Sequence, residues 1–120
     1  MKRQNADSLK DLIQAAVAFR DQRDWAQFHT PKELAISLCV ESAELLSLMQ
    51  WKTGADLDAT VAAKRDQIQD ELADVLHSVL LLASDLKVDL AAALEQKLTK
   101  DAEKYPVHKA RGRNTKYTEL

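Results

Sequence analysis

The chain has 120 residues, a length that predicts one domain over residues 1–120. Its side chains are 46% hydrophobic, 30% charged and only 5% aromatic, which is typical of a globular protein. The formal net charge of −2 does not favour binding to a nucleic acid polymer. Two glycines and two prolines are too few for many strands and turns, so we predict an all-α fold. They also exclude glycine-rich phosphate loops.

Three features of the sequence bear on the compartment of the protein. Cys39 is the only cysteine, which excludes an intrachain disulfide and is consistent with a reducing compartment. The N-terminal residues carry no apolar segment of the kind found in signal peptides. No apolar run approaches the roughly 18 residues of a membrane-spanning helix. We therefore expect a cytoplasmic protein with no membrane partner.

Capping signals predict four helices in chain order. Ser8 precedes an amphipathic pattern, Thr30 with Pro31 and Glu33 forms a capping box with proline at N1, and Asp89 precedes the last helix. The predicted helices span residues 8–23, 31–50, 58–86 and 90–104, with a loop over 51–57. Pro106 ends the last helix, and residues 106–120 are predicted to form an irregular basic tail. These elements predict a four-helix bundle.

Two of these helices carry carboxylates within otherwise apolar faces. Glu41 and Glu44 lie three residues apart in the second helix, and Glu71 and Asp74 repeat that spacing in the third. Carboxylates facing one another in a bundle repel by about 4 kcal/mol per pair at 4 Å and an effective dielectric near 20. Protons or cations must therefore neutralise them. An all-oxygen ligand set favours Mg²⁺, with Mn²⁺ as a possible substitute.

Two other interpretations of the acidic residues stay open. A carboxylate-bridged di-iron bundle needs two Glu-x-x-His motifs, and the nearest equivalent here is Asp74-x-x-His77 alone. We interpret His77 as a core or interface residue. A non-catalytic helical interaction module, whose acidic faces bind a basic partner, is the alternative from a different functional class.

Both tryptophans of the chain flank the second helix. Trp25 precedes this helix and Trp51 follows it, so the two indoles either cover the ends of the core or stack on a planar ligand. Aromatic rings of this kind stack on nucleobases. A base, a phosphate chain and a divalent ion together indicate a nucleotide ligand.

The order of these motifs resembles a known family. Glu41-x-x-Glu44, a gap of 26 residues and Glu71-x-x-Asp74 resemble the motif of the MazG-like all-α nucleoside triphosphate pyrophosphohydrolases. Further segments resemble the dCTP pyrophosphatase branch of that family. These segments are Arg23-Asp24-Trp25-x-Gln27-Phe28-His29-x-Pro31, Met49-Gln50-Trp51-Lys52, Lys104-Tyr105-Pro106 and Lys116-Tyr117-Thr118-Glu119-Leu120.

The resemblance implies roles for individual residues. The catalytic carboxylates that bind Mg²⁺ would be Glu41, Glu44, Glu71 and Asp74. The substrate-binding residues would be Trp25, Phe28, His29, Trp51, Ser78, Lys97 and Asp101, with Lys97 and the basic tail at the phosphates. The implied reaction hydrolyses a nucleoside or deoxynucleoside triphosphate to the monophosphate and pyrophosphate, and the implied substrate is dCTP or a modified pyrimidine deoxynucleotide. The implied role of this reaction is to remove non-standard nucleotides. The implied assembly is a homo-tetramer built as a dimer of dimers.

Three positions depart from the pattern of that branch. Asp101 stands where the branch usually has asparagine, Ser78 where it often has tyrosine, and Ala16 where it often has histidine. All three positions belong to the nucleotide pocket of the branch. The preference for a base and a sugar therefore stays open.

Overall fold

A computed structural model describes residues 8–120, and most of this range is helical, with no strand among the described residues. The α-helices are α1 (Leu9–Asp21), α2 (Pro31–Met49), α3 (Gly54–Ala63), α4 (Arg65–Leu86), α5 (Leu90–Lys104) and α6 (Val107–Ala110). Two short 3-10 turns cover Ala26–Phe28 and Tyr117–Glu119. The all-α prediction is confirmed. The N-terminal residues that we compared with a signal peptide lie outside the described range.

The three predicted N-caps are confirmed. The side chains of Ser8, Thr30 and Asp89 each accept a hydrogen bond from the backbone N–H three residues later, at 3.1, 3.2 and 3.1 Å. Such a cap satisfies one of the backbone donors that a helix leaves unpaired at its start. α5 has the bounds that the sequence predicts, and α1 and α2 differ from their predicted ends by one or two residues.

The predicted four-helix count is corrected in the middle of the chain. The single helix expected over residues 58–86 is divided into α3 and α4 at Lys64, whose φ and ψ are −104° and 23°. Lys64 ends one helix and begins the next, because its N–H donates to Thr60 O and its carbonyl accepts from Ile68 N–H, both at 2.9 Å. The bend needs no glycine or proline, the usual residues at a sharp kink.

The predicted loop over residues 51–57 is also shorter than expected. α2 ends at Met49 and α3 begins at Gly54, and the two helix axes meet at 118°. Trp51 and Gly54 adopt φ values of 65° and 53°, in the left-handed region that reverses a chain within a few residues. Only four residues are then needed to turn from α2 into α3.

The described chain forms two compact units, residues up to Val88 and Asp89–Leu120. In the first unit α4 packs along α2 and against α1, and α3 contacts both α2 and α4. The buried apolar side chains of this unit are few: Ala16, Leu34, Leu80, Leu81 and Ala83. Large apolar side chains of α2 and α4 stay exposed, namely Ile36, Val40, Leu46, Leu72 and Leu76.

A partly buried ion pair joins α1 to α4 in the first unit. The Arg20 guanidinium donates from both Nη atoms to the two Asp85 carboxylate oxygens, each at 2.8 Å. Arg20 is only 7% exposed. Its hydrogen bonds hold the pKa of Asp85 below the usual range. This bidentate geometry is the strong form of an arginine–carboxylate contact.

The second unit contains α5 and α6. The segment predicted as an irregular tail includes α6 and the turn over Tyr117–Glu119. The rings of Tyr105 and Tyr117 meet edge to face with centroids 5.7 Å apart, and Lys104 Nζ lies 4.9 Å from the Tyr117 centroid. The C-terminal residues are therefore ordered by packing within this unit.

No single helix among residues 8–120 is long and apolar enough to cross a membrane. α2 and α3 reach that length and composition only when taken together across their 118° bend.

Candidate active site

Three carboxylates meet where α2 and α4 pack together. Glu41, Glu44 and Glu71 each offer an oxygen atom, and these three atoms lie within 4.8 Å of one another. Glu41 and Glu71 are half-buried, whereas Glu44 is exposed. Residues three or four apart share one face of a helix. The acidic spacing seen in the sequence therefore does place carboxylates from both helices at one point.

The electrostatic environment of this cluster is unfavourable for negative charge. Burial and, after it, the carboxylates of Glu44, Glu71 and Asp74 together raise the pKa of Glu41 to about 7. The pKa of Glu71 is also raised, first by burial and then by the charges of its acidic neighbours. Loss of solvation and repulsion between like charges both disfavour an ionised carboxylate.

The residues of the cluster fit a divalent metal ion. The Oε2 atoms of Glu41 and Glu71 are buried and have no hydrogen-bond partner among the described residues. A cation would bind these oxygens and offset the repulsion that raises both pKa values. The donor atoms are all carboxylate oxygens, the ligands that Mg²⁺ and Mn²⁺ prefer. Asp74 is exposed and lies outside the three-carboxylate group, although its charge acts on both buried glutamates.

A cavity of about 180 Å³ adjoins the carboxylates in the first unit. Its lining residues come from α2, α4 and the segment before α2: Trp25, His29, Leu34, Ser37, Glu41, Asp74, His77, Ser78 and Leu81. Glu41 and Asp74 mark the acidic end of the cavity. Leu34 lies seven residues before Glu41 on α2, and Leu81 lies seven residues after Asp74 on α4. At 1.5 Å per residue, each leucine is about 10 Å from the acidic residue of its helix. The cavity therefore has an acidic end and an apolar end.

The structure brings together only part of the predicted substrate-binding set. Trp25, His29 and Ser78 line the cavity. Phe28 and Trp51 are 65% and 90% exposed and are not among its lining residues.

The remaining two predicted residues lie in the second compact unit. Lys97 Nζ donates to Asp101 Oδ1 at 2.7 Å across one turn of α5. Both side chains are partly exposed to solvent.

Sequence reasoning missed four lining residues. Leu34, Ser37 and Leu81 are not among the residues predicted for the site, and the sequence predicts His77 as a core or interface residue. Ser37 lies one turn before Glu41 and His77 lies one turn after Asp74. Following the helical period outward from each acidic residue would have found both.

An aromatic cluster supports the wall that carries Trp25 and His77. The Phe19 ring meets each of these two rings edge to face, with centroid distances of 6.0 Å in both pairs. The Arg23 guanidinium carbon lies 3.6 Å from the Phe19 centroid, and Arg23 Nη1 donates to the Phe19 carbonyl at 2.8 Å. Edge-to-face pairs favour fixed ring orientations. α1 thus helps to set the geometry of the cavity although it contributes no lining residue.

Comparison with known proteins identifies the family. The family model described as MazG-like matches residues 36–120, a range that includes all four acidic positions and most of the cavity lining. The chain belongs to the MazG-like family. This MazG-like chain is 39% identical to the rat protein named dCTP pyrophosphatase 1 and 38% identical to the human protein of that name. Each match covers 94% of this chain and 68% of the relative.

A solved structure resembles the MazG-like chain along most of its length. The crystal structure of a pyrophosphatase from Archaeoglobus fulgidus superposes with a TM-score of 0.78 at 32% identity. The match covers 88% of this chain and 99% of that protein. The helical architecture described above is therefore shared with a protein of known structure.

Proposed function

We propose that this protein hydrolyses a nucleoside triphosphate to the monophosphate and pyrophosphate in the presence of Mg²⁺. The observation that carries this proposal is the group of three carboxylates within 4.8 Å of one another, one of which, Glu41, lines a cavity large enough for one ring. The names of the rat and human relatives make dCTP, or a modified pyrimidine deoxynucleotide, the first candidate substrate.

The proposed chemistry gives a role to each group of charged and aromatic residues. Glu41, Glu44, Glu71 and Asp74 would hold the ion, which neutralises charge that develops on the phosphates. A carboxylate oxygen of the cluster would orient the attacking water and accept its proton. The water oxygen bonds to phosphorus while the bond to the departing pyrophosphate breaks. Trp25 would bind the base by stacking, and Lys97 and the basic segment after it would contact the phosphates.

We also propose that the two compact units act as one domain. The family match runs from residue 36 to residue 120 and so crosses the boundary between Val88 and Asp89 without interruption.

The direct test of the activity is pyrophosphate release from a panel of ribonucleoside and deoxynucleoside triphosphates. We expect turnover with Mg²⁺ or Mn²⁺, none with EDTA, and the highest kcat/KM for a pyrimidine deoxynucleotide. Release of inorganic phosphate without pyrophosphate would show that a different bond of the triphosphate is cleaved. Absence of turnover with every triphosphate and both metals would refute the proposed activity and favour the interaction module.

Metal binding should also stabilise the fold. A ligand at about 100 times its dissociation constant adds roughly 2.7 kcal/mol to the free energy of unfolding. We therefore expect Mg²⁺ or Mn²⁺ to raise the melting temperature of the wild-type protein, as measured by differential scanning fluorimetry. The same ions should leave a Glu41→Gln, Glu71→Gln double variant unchanged. An equal shift in both proteins would place the ion elsewhere.

Tryptophan fluorescence can separate the roles of Trp25 and Trp51. With only two indoles in the chain, Trp51→Phe leaves Trp25 as the sole reporter, and Trp25→Phe leaves Trp51. We expect dCTP with Mg²⁺ to quench Trp25, which lines the cavity. Trp51→Ala should raise KM by about tenfold if its exposed indole stacks on the base, since such stacking contributes roughly 1–3 kcal/mol. An unchanged KM would remove Trp51 from the site.

The exposed apolar side chains of α2 and α4 lead us to propose an oligomer, a tetramer built from two dimers. Large apolar patches on a small protein are typical of interfaces. We expect light scattering at micromolar concentration to report a particle several times the 13.5 kDa mass of the chain. Leu72→Glu should reduce that mass. A stable monomer would contradict the proposal.

A further inference from the structure

His77 occupies a distinctive place in the cavity wall. It lies on α4, three residues after Asp74 and one before the buried Ser78. All three residues line the cavity. At a rise of about 1.5 Å per residue, His77 is roughly 4.5 Å further from the acidic end than Asp74. It therefore lies between the carboxylates and the apolar end at Leu81.

The imidazole of His77 has an unused hydrogen-bonding atom. Its Nε2 is buried and has no hydrogen-bond partner among the described residues. The Phe19 ring, 6.0 Å away edge to face, fixes the ring plane but cannot satisfy that nitrogen. Most buried polar atoms in folded proteins are hydrogen-bonded, and an unpaired one is destabilising. A polar ligand group in the cavity would supply the missing partner.

The donor geometry argues against a metal at His77. Among the described residues, the atoms that come within 4.8 Å of one another belong to Glu41, Glu44 and Glu71, and no histidine joins them. The other polar groups of the lining include hydroxyls and imidazoles, from Ser37, Ser78, His29 and His77. Hydroxyl and imidazole groups bind a polar organic ligand better than they bind a hard cation.

The dimensions and lining of the cavity indicate which part of the substrate reaches His77. The volume of about 180 Å³ is below the roughly 300–1,000 Å³ of pockets that enclose drug-sized ligands, so only a fragment of a nucleoside triphosphate enters. The phosphates belong at the acidic end, where a metal ion would neutralise them. A flat ring suits the other end, where Leu34 and Leu81 are apolar, and the Trp25 indole also lines the cavity.

We propose that His77 is a specificity residue whose Nε2 hydrogen-bonds to the polar edge of the nucleobase. This inference rests on the proposed nucleotide hydrolysis. Nucleobases differ in the order of donors and acceptors along their edges, so one fixed imidazole nitrogen pairs well with some bases and leaves others unpaired. Sites built around a substrate hydrogen bond discriminate strongly against analogues that lack it.

The experiment compares three variants with the wild-type protein. His77→Leu removes the hydrogen-bonding atom, His77→Gln retains an amide near the position of Nε2, and Gln67→Leu removes an exposed polar side chain of the same helix outside the cavity. For each protein, kcat and KM are measured with dCTP, dTTP, dATP and dGTP in Mg²⁺. Binding of the four corresponding monophosphates is measured by tryptophan fluorescence, and the melting temperature is recorded with and without Mg²⁺.

We expect His77→Leu to lower kcat/KM for the preferred triphosphate by about tenfold or more, while the least preferred base is almost unaffected. The ratio of kcat/KM between the preferred and the least preferred base should therefore fall towards one. His77→Gln should recover part of this ratio, and Gln67→Leu should match the wild type. The metal-induced shift in melting temperature should stay the same in all four proteins, because His77 does not contact the ion.

Two results would overturn the role of His77. An unchanged base preference in His77→Leu would show that Nε2 makes no contact with the base. An equal loss for all four bases with a lower melting temperature would show a purely structural role. If His77→Leu does not fold, the base ratio of His77→Gln decides the question.

Failure of the proposed hydrolysis is a separate outcome. A wild-type protein that binds monophosphates selectively but releases no pyrophosphate would refute the activity. His77 would keep its role if His77→Leu then lost that binding selectivity. A wild-type protein that binds no nucleotide would refute both inferences.

Discussion

Replacing Glu41 by glutamine is expected to abolish triphosphate hydrolysis while the helices stay folded. Glutamine has the shape of glutamate but carries no charge, so it removes a metal-binding oxygen without opening a cavity. Substitutions of residues that merely support metal ligands already cost roughly 10–100-fold in affinity or activity. We therefore expect a loss of more than about 100-fold in kcat/KM, and the same for Glu71→Gln.

The stability of these variants makes the prediction more specific. In the metal-free protein, burial and neighbouring carboxylates raise the pKa of Glu41 to about 7, which means that its charge is unfavourable at neutral pH. Removal of that charge should leave the melting temperature without Mg²⁺ unchanged or higher. Circular dichroism and thermal denaturation measure this directly.

Matched controls exist on both helices. Glu33→Gln on α2 and Asp70→Asn on α4 remove exposed carboxylates outside the cluster and should retain near-wild-type turnover. Near-wild-type turnover in Glu41→Gln and Glu71→Gln would show that the carboxylate cluster is not the catalytic site.

Breaking the ion pair between α1 and α4 is expected to give the largest loss of stability. Exposed ion pairs contribute about 0–1 kcal/mol to the free energy of unfolding, whereas loss of one partner from a buried pair lowers that free energy by about 3–5 kcal/mol. Arg20 is buried and Asp85 has a side chain that is 25% exposed, so we expect a loss of roughly 2–3 kcal/mol for Asp85→Asn, between these limits. The melting temperature should fall by about 10 °C.

The two single variants should differ in a defined direction. Asp85→Asn leaves the Arg20 guanidinium buried without its anion, and arginine cannot lose its proton to relieve that cost. Arg20→Met leaves Asp85, which water can reach. We therefore expect Asp85→Asn to be the more destabilising of the two. The Arg20→Met, Asp85→Leu double variant should recover part of the loss. Equal, small losses of stability in both single variants would show that the ion pair contributes little to the free energy of unfolding.

The same ion pair predicts how stability depends on pH. Arg20 lowers the pKa of Asp85 from its ordinary value of 3.8, so the folded state favours the ionised carboxylate. The stabilisation is complete well above that ordinary pKa and is lost as the pH falls through the lower folded-state pKa. Urea denaturation should therefore show a smaller difference between wild type and Asp85→Asn near pH 2 than at pH 7. A difference that grows as the pH falls would contradict the assignment.

Local signals determined the fold class and the helix starts. The scarcity of glycine and proline predicted an all-α chain, and the caps at Ser8, Thr30 and Asp89 mark the starts of α1, α2 and α5 in the structure. Such signals work from sequence because a cap or a helical face involves residues three or four apart, whose relative positions the helix itself sets. The family resemblance rests on motifs of the same local kind.

The candidate site was only partly predictable for a related reason. The spacing of Glu41 with Glu44 placed two carboxylates on one helix face, but the contact between Glu41 and Glu71 depends on how α2 packs against α4. The raised pKa values follow from that contact and from burial. The unpartnered Nε2 of His77 is also a property of packing, since no spacing in the sequence shows whether a buried nitrogen has a partner.

By itself, the sequence determined the all-α class, three of the helix starts, the acidic pairs and the family resemblance. Only the tertiary structure decided the break at Lys64, the exposed position of Trp51, and the cavity that contains Trp25, His29 and His77. The physical reason is the range of the interactions. Helix caps and faces arise from neighbours along the chain, whereas burial, charge repulsion between helices and the shape of a cavity arise from residues that are distant in sequence.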